Sequence, residues 1–307
     1  MTPFGNRRRT TRSVNGGIDG RRDENRSVRN GGPRGSGSKI RRSFRRFAHA
    51  LPRRRRSEAR HRDVLSWEWS WRERWSNFKG NAPAFNEAGY RTLMPDTIGY
   101  GYSSKPAEAA FTLQDCAAHY KGVADAAGAD KLTLVGNSQG GAIAIAFARA
   151  YPERVEKLIL MAPGGLETRE VYMEMVGIKS MIKAIYKDGI SRDSLKKVFA
   201  LQLFNESLIN ETIIDERLQI AETQQKNVLA SIRVDNQEEH LGELTMPVLC
   251  FWGVDDKFCP MSGATKVATC CPNSRTVLIS QCGHWVMVEY PKLFNETSIR
   301  FLNGTLG

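Results

Sequence analysis

The sequence contains no long apolar run. No stretch of about 18 or more apolar residues occurs in the 307-residue chain, which excludes a transmembrane helix. No apolar segment follows Met1 either, so we expect no secretory leader. The 41% apolar content is nevertheless enough for a sizeable core, and the length suits one large domain or two small ones.

Cysteine is sparse and follows no disulfide or metal-ligand pattern. All six cysteines come after residue 115, none forms a C-x-x-C pair, and a bridge between the neighbours Cys270 and Cys271 is geometrically awkward. No cluster of histidine and cysteine has metal-ligand spacing, so we expect neither a metal nor an organic cofactor. Reduced thiols are typical of a cytoplasmic protein, which is the location that we expect.

Lysine is almost absent from the first 74 residues, where Lys39 stands beside 21 arginines. This segment also holds 7 acidic residues and carries a net charge of +15, whereas residues 75–307 carry −3. The overall charge of +12 therefore does not describe a basic globular domain. Residues 1–74 show no sustained helical or strand periodicity, and we expect this arginine-rich segment to be disordered. It is either a nucleic-acid- or membrane-binding arm or a segment without selected function.

From Trp75 onward, short apolar runs alternate with amphipathic stretches. This alternation predicts an α/β fold, in which a mostly parallel sheet carries helices on both faces. Residues 75–164 and 246–307 form the predicted core, in which Thr112 and Asp115 are a predicted capping pair at the start of a helix. The predicted core strands are Tyr90–Pro95, Lys131–Val135, Val155–Met161, Pro247–Trp252 and Arg275–Ile279. The predicted core helices are Thr112–Ala127, Ser138–Tyr151 and Pro291–Leu302.

Residues 165–245 interrupt the alternation with amphipathic helical stretches. We predict helices over Tyr172–Tyr186, Ser194–Phe204 and Glu211–Gln224. A helical insertion between two sheet strands predicts a lid over a site at the carboxyl ends of the strands.

The stretch Gly136-Asn137-Ser138-Gln139-Gly140 matches the pattern G-x-S-x-G. It follows a predicted strand and opens a predicted helix, as a nucleophile elbow requires. The glycines permit a tight turn that exposes the Ser138 hydroxyl. The N–H of Gln139, at the start of the helix, can then point at a developing oxyanion. The alternative is a glycine-rich turn with a capping serine.

A serine nucleophile needs a base, and the base needs an acid to orient it. Of the five histidines, His284 is the one that follows a late strand, where the base is required. The acid is Asp255 or Asp256, and we select Asp256 because Gly253-x-x-Asp256-x-x-x-Pro260 fits the usual acid loop. The order Ser138, Asp256, His284 is that of the triad in α/β-hydrolases.

The chain from Trp75 to Gly307 resembles the meta-cleavage product hydrolases. These α/β-hydrolases cleave a carbon–carbon bond in 2-hydroxy-6-oxohexa-2,4-dienoates during aromatic or steroid-ring degradation. Their combination of motifs is much narrower than G-x-S-x-G alone. The matching motifs are WSNF at 75–78, GNSQGG at 136–141, LILMAPGGL at 158–166, WGVDDKFCP at 252–260 and CGHWVMVEYP at 282–291.

The resemblance implies roles beyond the triad. Asn77 and Asn137 would contact the dienol end of the substrate, and Arg217 would bind its carboxylate, for which a planar guanidinium is well suited. Trp285 would form a wall of the pocket beside the base. The alternative for Arg217 is a surface arginine on a helix, and the alternative for Trp285 is plain core packing.

One family feature is missing from this chain. The family carries a second oxyanion donor on a His-Gly-x-Gly-Pro-Gly loop before the WSNF motif, and residues 66–74 read SWEWSWRER instead. Tryptophan has the single codon TGG. In the shifted frame Trp67, Trp69 and Trp71 therefore become the three glycines, and permitted serine codons supply the histidine and the proline. We hypothesise that residues up to about Arg74 are an out-of-frame translation.

This hypothesis has a structural consequence. In the family, the strand before the missing loop is central in the sheet, and residues 60–66 (RHRDVLS) are expected to replace it badly. We therefore predict that the chain folds poorly or has crippled activity.

Three functions compete. The first is a carbon–carbon hydrolase of the meta-cleavage class, which we favour. The second is a carboxylesterase with the same triad, which would need neither a dienol contact from Asn137 nor a carboxylate clamp at Arg217. The third is a nucleic-acid-binding protein acting through the arginine-rich segment. The favoured function implies a small-molecule substrate and no nucleic-acid or membrane partner, and it leaves homo-oligomerisation open.

Overall fold

A computed structural model describes residues 62–68, 75–106, 111–221 and 233–306. Within these ranges, six strands form one all-parallel sheet with the order β2-β1-β3-β4-β5-β6. This sheet confirms the predicted α/β architecture. The strands are β1 (Arg62–Glu68), β2 (Tyr90–Leu93), β3 (Leu132–Asn137), β4 (Val155–Met161), β5 (Val248–Gly253) and β6 (Ser274–Ile279).

Helices connect the strands, because parallel neighbours can be joined only by crossovers that run back along the sheet. In the described ranges, no helix combines the length and the apolarity needed to cross a bilayer. The α-helices are α1 (Trp75–Phe78), α2 (Ala82–Glu87), α3 (Leu113–Ala126), α4 (Gln139–Ala150), α5 (Arg169–Glu174), α6 (Val176–Tyr186), α7 (Arg192–Gln202), α8 (Glu211–Ala221), α9 (Ser262–Cys270), α10 (Val286–Glu289) and α11 (Pro291–Leu302). Short 3₁₀ helices span Pro152–Arg154, Glu206–Leu208 and Glu238–Glu243.

The core consists of two apolar clusters, one on each face of the sheet. Strand β4 shows the division, because successive side chains of a strand point to opposite faces. Leu158 and Leu160 belong to the cluster that contains α3 and α4 residues, whereas Ile159 and Met161 belong to the cluster with α7 and α11 residues. The sheet is therefore covered on both sides, as its near-continuous apolar runs predict.

Local sequence signals fix several of these elements. The predicted capping pair at the start of α3 is confirmed: the Asp115 N–H donates to Thr112 Oγ1 at 3.1 Å, and the Thr112 N–H donates to Asp115 Oδ2 at 3.3 Å. The predicted bounds of β4 and α11 match the structure.

Strand β1 overturns one expectation. Arg62–Glu68 pairs with β2 on one side and with β3 on the other, so the described residues of this segment form a central strand. Backbone hydrogen bonds do not depend on side-chain identity, which is why a sequence without strand periodicity can pair there. The buried Asp63 carboxylate is satisfied by Arg91, whose Nε lies 2.5 Å from Asp63 Oδ1.

The rest of the arginine-rich segment is outside the described residues. The predicted disorder of residues 1–61 and the replaced loop at 69–74 therefore remain predictions.

The predicted lid, residues 165–245, is helical where it is described. The predicted helix Tyr172–Tyr186 is divided in the structure at Met175, whose backbone is extended with ψ 127°. The break brings Gly177 against the loop after β5, where its N–H donates to the Lys257 carbonyl at 2.9 Å. The predicted helix Glu211–Gln224 is described as far as Ala221.

The end of β5 tolerates no side chain at Gly253. A Cβ on Gly253 would lie 2.1 Å from the Gly283 carbonyl oxygen and 2.3 Å from that of Cys282. We expect Gly253→Ala to lower the free energy of unfolding by about 1–3 kcal/mol, because backbone on both loops must move apart. Urea denaturation followed by circular dichroism measures the change.

Gly242→Ala is the matched control, because the nearest atom to its Cβ would be 3.9 Å away. It should shift the free energy of unfolding by less than about 0.5 kcal/mol. Equal free energies of unfolding for the two variants would contradict the close approach of Gly253 to the carbonyls of Cys282 and Gly283.

Candidate active site

Ser138 lies in the turn between β3 and α4 with a backbone conformation that non-glycine residues rarely adopt. Its φ is 56° and its ψ is −123°. The turn is held from both sides, since the Ser138 N–H donates to the Met161 carbonyl at 3.0 Å and its carbonyl accepts from the Gly164 N–H at 2.8 Å. A Cβ on Gly136 would lie 2.5 Å from the Gly140 carbonyl oxygen, which explains the first glycine of the motif.

Asp256 and His284 follow β5 and β6 and meet at the carboxyl edge of the sheet. His284 Nδ1 lies 2.7 Å from Asp256 Oδ2, and both side chains are almost completely buried. The other carboxylate oxygen, Oδ1, accepts hydrogen bonds from the N–H groups of Phe258 at 2.7 Å and Cys259 at 3.0 Å. The structure therefore brings Asp256, and not Asp255, to the histidine.

The His284 ring is oriented by its backbone and by a stacked aromatic ring. The backbone N–H of His284 donates to the Gln202 carbonyl at the end of α7, at 2.8 Å. The backbone carbonyl of His284 accepts from Asn137 Nδ2 at 3.1 Å. The ring stacks on Phe258 with centroids 5.2 Å apart. Because Nδ1 is engaged by the carboxylate, Nε2 is the nitrogen left to accept a proton.

Cys259 is a neighbour of the triad that the motif analysis did not single out. Its thiol is buried and lies close to the Ser138 side chain. Burial, and secondly the Asp256 carboxylate, raises the pKa of this thiol well above its usual value, which the Ser138 contact partly offsets. The sequence signal for Cys259 is its position three residues after Asp256, because a turn at the aspartate brings such a residue beside it.

Three amide side chains from the recognised motifs, those of Asn77, Asn137 and Gln139, are buried. Asn137 Nδ2 also donates to the Met161 carbonyl at 3.1 Å. Among the described residues, Asn137 Oδ1, Gln139 Oε1 and both polar atoms of Asn77 have no hydrogen-bond partner. Asn77 lies on α1, which packs against the short helix α10 behind Trp285. Buried amide atoms left unpaired cost about 1–3 kcal/mol each unless a ligand satisfies them.

Arg217 is buried, with only 2% of its surface exposed, so the interpretation as a surface arginine is wrong. Its guanidinium carbon lies 5.2 Å from the Trp285 ring centroid and 5.8 Å from that of Phe199. The two rings themselves are 5.4 Å apart. Trp285 is therefore both a buried core residue and a contact of the arginine, so its two interpretations are compatible.

The arrangement combines a nucleophile, an oriented base and a helix amino terminus. Helix α4 begins at Gln139, the residue after the nucleophile, so free backbone N–H groups of its first turn lie beside Ser138. Such groups stabilise negative charge that develops on an attacked carbonyl oxygen. A buried guanidinium in the same region adds a fixed positive charge for an anionic group.

Comparisons with known proteins agree with this geometry. The model of the α/β-hydrolase fold matches residues 68–291. A 2-hydroxy-6-oxononadienedioate/2-hydroxy-6-oxononatrienedioate hydrolase of Dechloromonas aromatica is 34% identical over 74% of this chain and 81% of the relative. A 2-hydroxy-6-oxo-6-phenylhexa-2,4-dienoate hydrolase of Burkholderia cepacia is 35% identical over 74% of this chain and 82% of its own length.

Solved structures show the same fold. The structure of a meta-cleavage product hydrolase from Pseudomonas fluorescens superposes with a TM-score of 0.69 at 22% identity, over 79% of this chain and 91% of that one. The matching fold, the family model and the curated relatives lead to one assignment: this chain belongs to the α/β-hydrolases and, within them, to the meta-cleavage product hydrolases.

Proposed function

We propose that this protein hydrolyses the carbon–carbon bond next to the C6 ketone of 2-hydroxy-6-oxohexa-2,4-dienoate-type ring-fission products. The observation that carries the proposal is the buried Arg217 packed on Trp285, the residue next to the base His284. A guanidinium binds a carboxylate through paired hydrogen bonds, and these substrates carry a carboxylate.

The proposed chemistry begins with the substrate. The dienol becomes its keto tautomer, so that the electrons of the broken bond can be taken up by a carbonyl. His284 removes the proton of Ser138, whose Oγ attacks the C6 ketone, and the N–H of Gln139 stabilises the oxyanion. The bond between C5 and C6 breaks, and the dienolate leaves with a proton as 2-hydroxypenta-2,4-dienoate. Water then hydrolyses the acyl-enzyme with His284 as base.

The remaining site residues position the substrate in this proposal. Asn77 and Asn137 contact the dienol end, which is supported by their buried amide atoms without a hydrogen-bond partner among the described residues. Arg217 binds the C1 carboxylate, and Trp285 forms the wall between this arginine and the base. The substituent on C6 is left open by these contacts.

A carboxylesterase with the same triad is less well supported. An ester without a carboxylate gives no use to Arg217. The proposal also includes a cytoplasmic enzyme, which is consistent with six free cysteines, five of them buried. Its partner is a small molecule and neither nucleic acid nor membrane, and a homo-oligomer is compatible with it.

The loop before Trp75 bears on the rate of this enzyme. Strand β1 ends at Glu68, which pairs with Asn137, the residue before the nucleophile. The family has its second oxyanion donor on the loop that follows this strand. We propose that the residues before about 74 come from a shifted frame. The buried Asp63 in a central strand supports this, because such strands are usually apolar throughout.

Asp256 and Asp255 provide a matched test of the acid. Asp256→Asn should lower kcat on a ring-fission dienoate by about 10⁴-fold, because the asparagine no longer holds His284 in the required tautomer. Asp255→Asn should change it by no more than a few-fold. Stopped-flow absorbance of the coloured dienoate measures both, and the reverse order of effects would disprove the assignment.

Arg217 distinguishes the two hydrolase functions. Arg217→Lys should lower kcat/KM on the dienoate by about 10- to 100-fold, because the paired guanidinium bonds to a carboxylate are lost. Hydrolysis of p-nitrophenyl acetate should not change. Arg192→Lys, at an exposed position on α7, is the control and should leave both rates unaltered. A loss of both activities at position 217 would support structural damage instead.

Restoring the frame tests the missing loop. A gene with one base added or removed before codon 75, so that it encodes His-Gly-x-Gly-Pro-Gly, should give a protein with a kcat about 10²–10³-fold higher. Circular dichroism must show that both proteins are folded. Equal turnover, or a gene in which no one-base change yields that loop, would rule out the frame-shift hypothesis.

A further inference from the structure

The thiol of Cys259 completes a cluster that the hydrolytic mechanism does not use. Its Sγ, a carboxylate oxygen of Asp256 and a ring nitrogen of His284 all lie within 4.8 Å of one another. Cys259 and His284 are 3% and 2% exposed, respectively. The cluster therefore joins three different metal-ligating groups at the centre of the active site.

The three groups form a recognisable ligand set. Thiolate, imidazole and carboxylate are the ligands that Zn²⁺ uses in proteins, and the thiolate favours soft ions such as Cd²⁺ as well. Three protein ligands leave a fourth tetrahedral position for water or a hydroxyl group. The Ser138 hydroxyl lies close to the Cys259 thiol and therefore beside the cluster.

Charge balance favours a divalent cation there. A thiolate and a carboxylate together carry two negative charges, and burying them without a cation is costly. An ion of charge +2 with a neutral imidazole makes the whole group neutral. Ser138 is partly exposed, so solvent reaches the nucleophile beside the cluster.

We propose that Cys259, Asp256 and His284 form an inhibitory site for a thiophilic divalent cation such as Zn²⁺ or Cd²⁺. The bound ion takes a lone pair from the His284 ring and from the Asp256 carboxylate, so the base can neither accept the serine proton nor keep its orientation. The thiol proton is released to solvent, and no redox step occurs. Removal of the ion by a chelator restores the triad.

Two other places on the described surface compete for such ions. Cys270 is exposed beside Cys271, and His240 lies 2.7 Å from a Glu243 carboxylate and 3.4 Å from Glu239. Variants at these positions separate surface binding from binding at the triad.

The experiment titrates the full chain with Cd²⁺ and follows two signals. One is hydrolysis of p-nitrophenyl acetate, and the other is the ultraviolet thiolate-to-cadmium charge-transfer absorption, which does not require turnover. Cys259→Val and Cys259→Ala are compared with Cys270→Ser and His240→Gln. Each variant is measured relative to its own metal-free activity and is checked for folding by circular dichroism.

In the unaltered chain, one equivalent of Cd²⁺ should produce the absorption band and abolish activity, and EDTA should reverse both. In both Cys259 variants, the absorption band that the first equivalent of Cd²⁺ produces should be absent. The Cd²⁺ concentration that halves the activity should rise by at least about tenfold. The Cys270 and His240 variants should behave like the unaltered chain.

Unchanged inhibition of the Cys259 variants, or a band that depends on Cys270, would overturn the proposal. If the chain hydrolyses no substrate, the absorption titration still decides the metal site independently of the proposed function.

Discussion

The strained turn at Ser138 is the constraint on which the site depends. A non-glycine residue in this conformation costs about 1–3 kcal/mol, and it persists because the surroundings over-determine it. Backbone hydrogen bonds to the Met161 carbonyl and from the Gly164 N–H hold the turn at the end of β4. A Cβ on Gly141 would lie 2.6 Å from Pro163, so the start of α4 packs closely there. The nucleophile is thus fixed by backbone contacts of three elements and not by its own side chain.

The same edge of the sheet supplies the other groups. Since all six strands are parallel, their carboxyl ends lie together, and the loops after β3, β5 and β6 must meet there. Asn137, at the end of β3, links the end of β4 to the loop after β6, because its amide nitrogen donates to the carbonyls of Met161 and His284. A substitution at Asn137 would therefore disturb the base as well as any substrate contact.

Sequence alone predicted the elements whose signals are local. The capping pair of α3 and the apolar run of β4 depend on neighbours in the chain, and both are recovered. Strand β1 was missed because its pairing partners lie 28 and 69 positions away along the chain and its own residues show no alternation. The division of the lid helix at Met175 was missed because it results from the contact of Gly177 with a distant loop.

For the site, motifs identified the residues but not all of their geometry. Spacing to Gly253 and Pro260 selected Asp256 over Asp255, but it did not show the backbone N–H groups that turn this carboxylate toward the histidine. The burial of Arg217 could not be predicted from its own helix, because Trp285 and Phe199 come from other parts of the chain. Cys259 was not singled out because it lies in the motif WGVDDKFCP, in which only the aspartates were considered as site residues.

The hydrogen bond between the Gln202 carbonyl and the His284 N–H has a consequence for motion. Gly283 also packs against that carbonyl, at 2.5 Å from where its Cβ would be, so the carboxyl end of α7 is anchored to the base. Its other end, at Arg192, is held to α8 by exposed ion pairs with Glu211 and Asp215, which are individually weak. The carboxyl end of α7 is therefore tied to the base, whereas its amino end can separate from α8 without breaking a contact to His284.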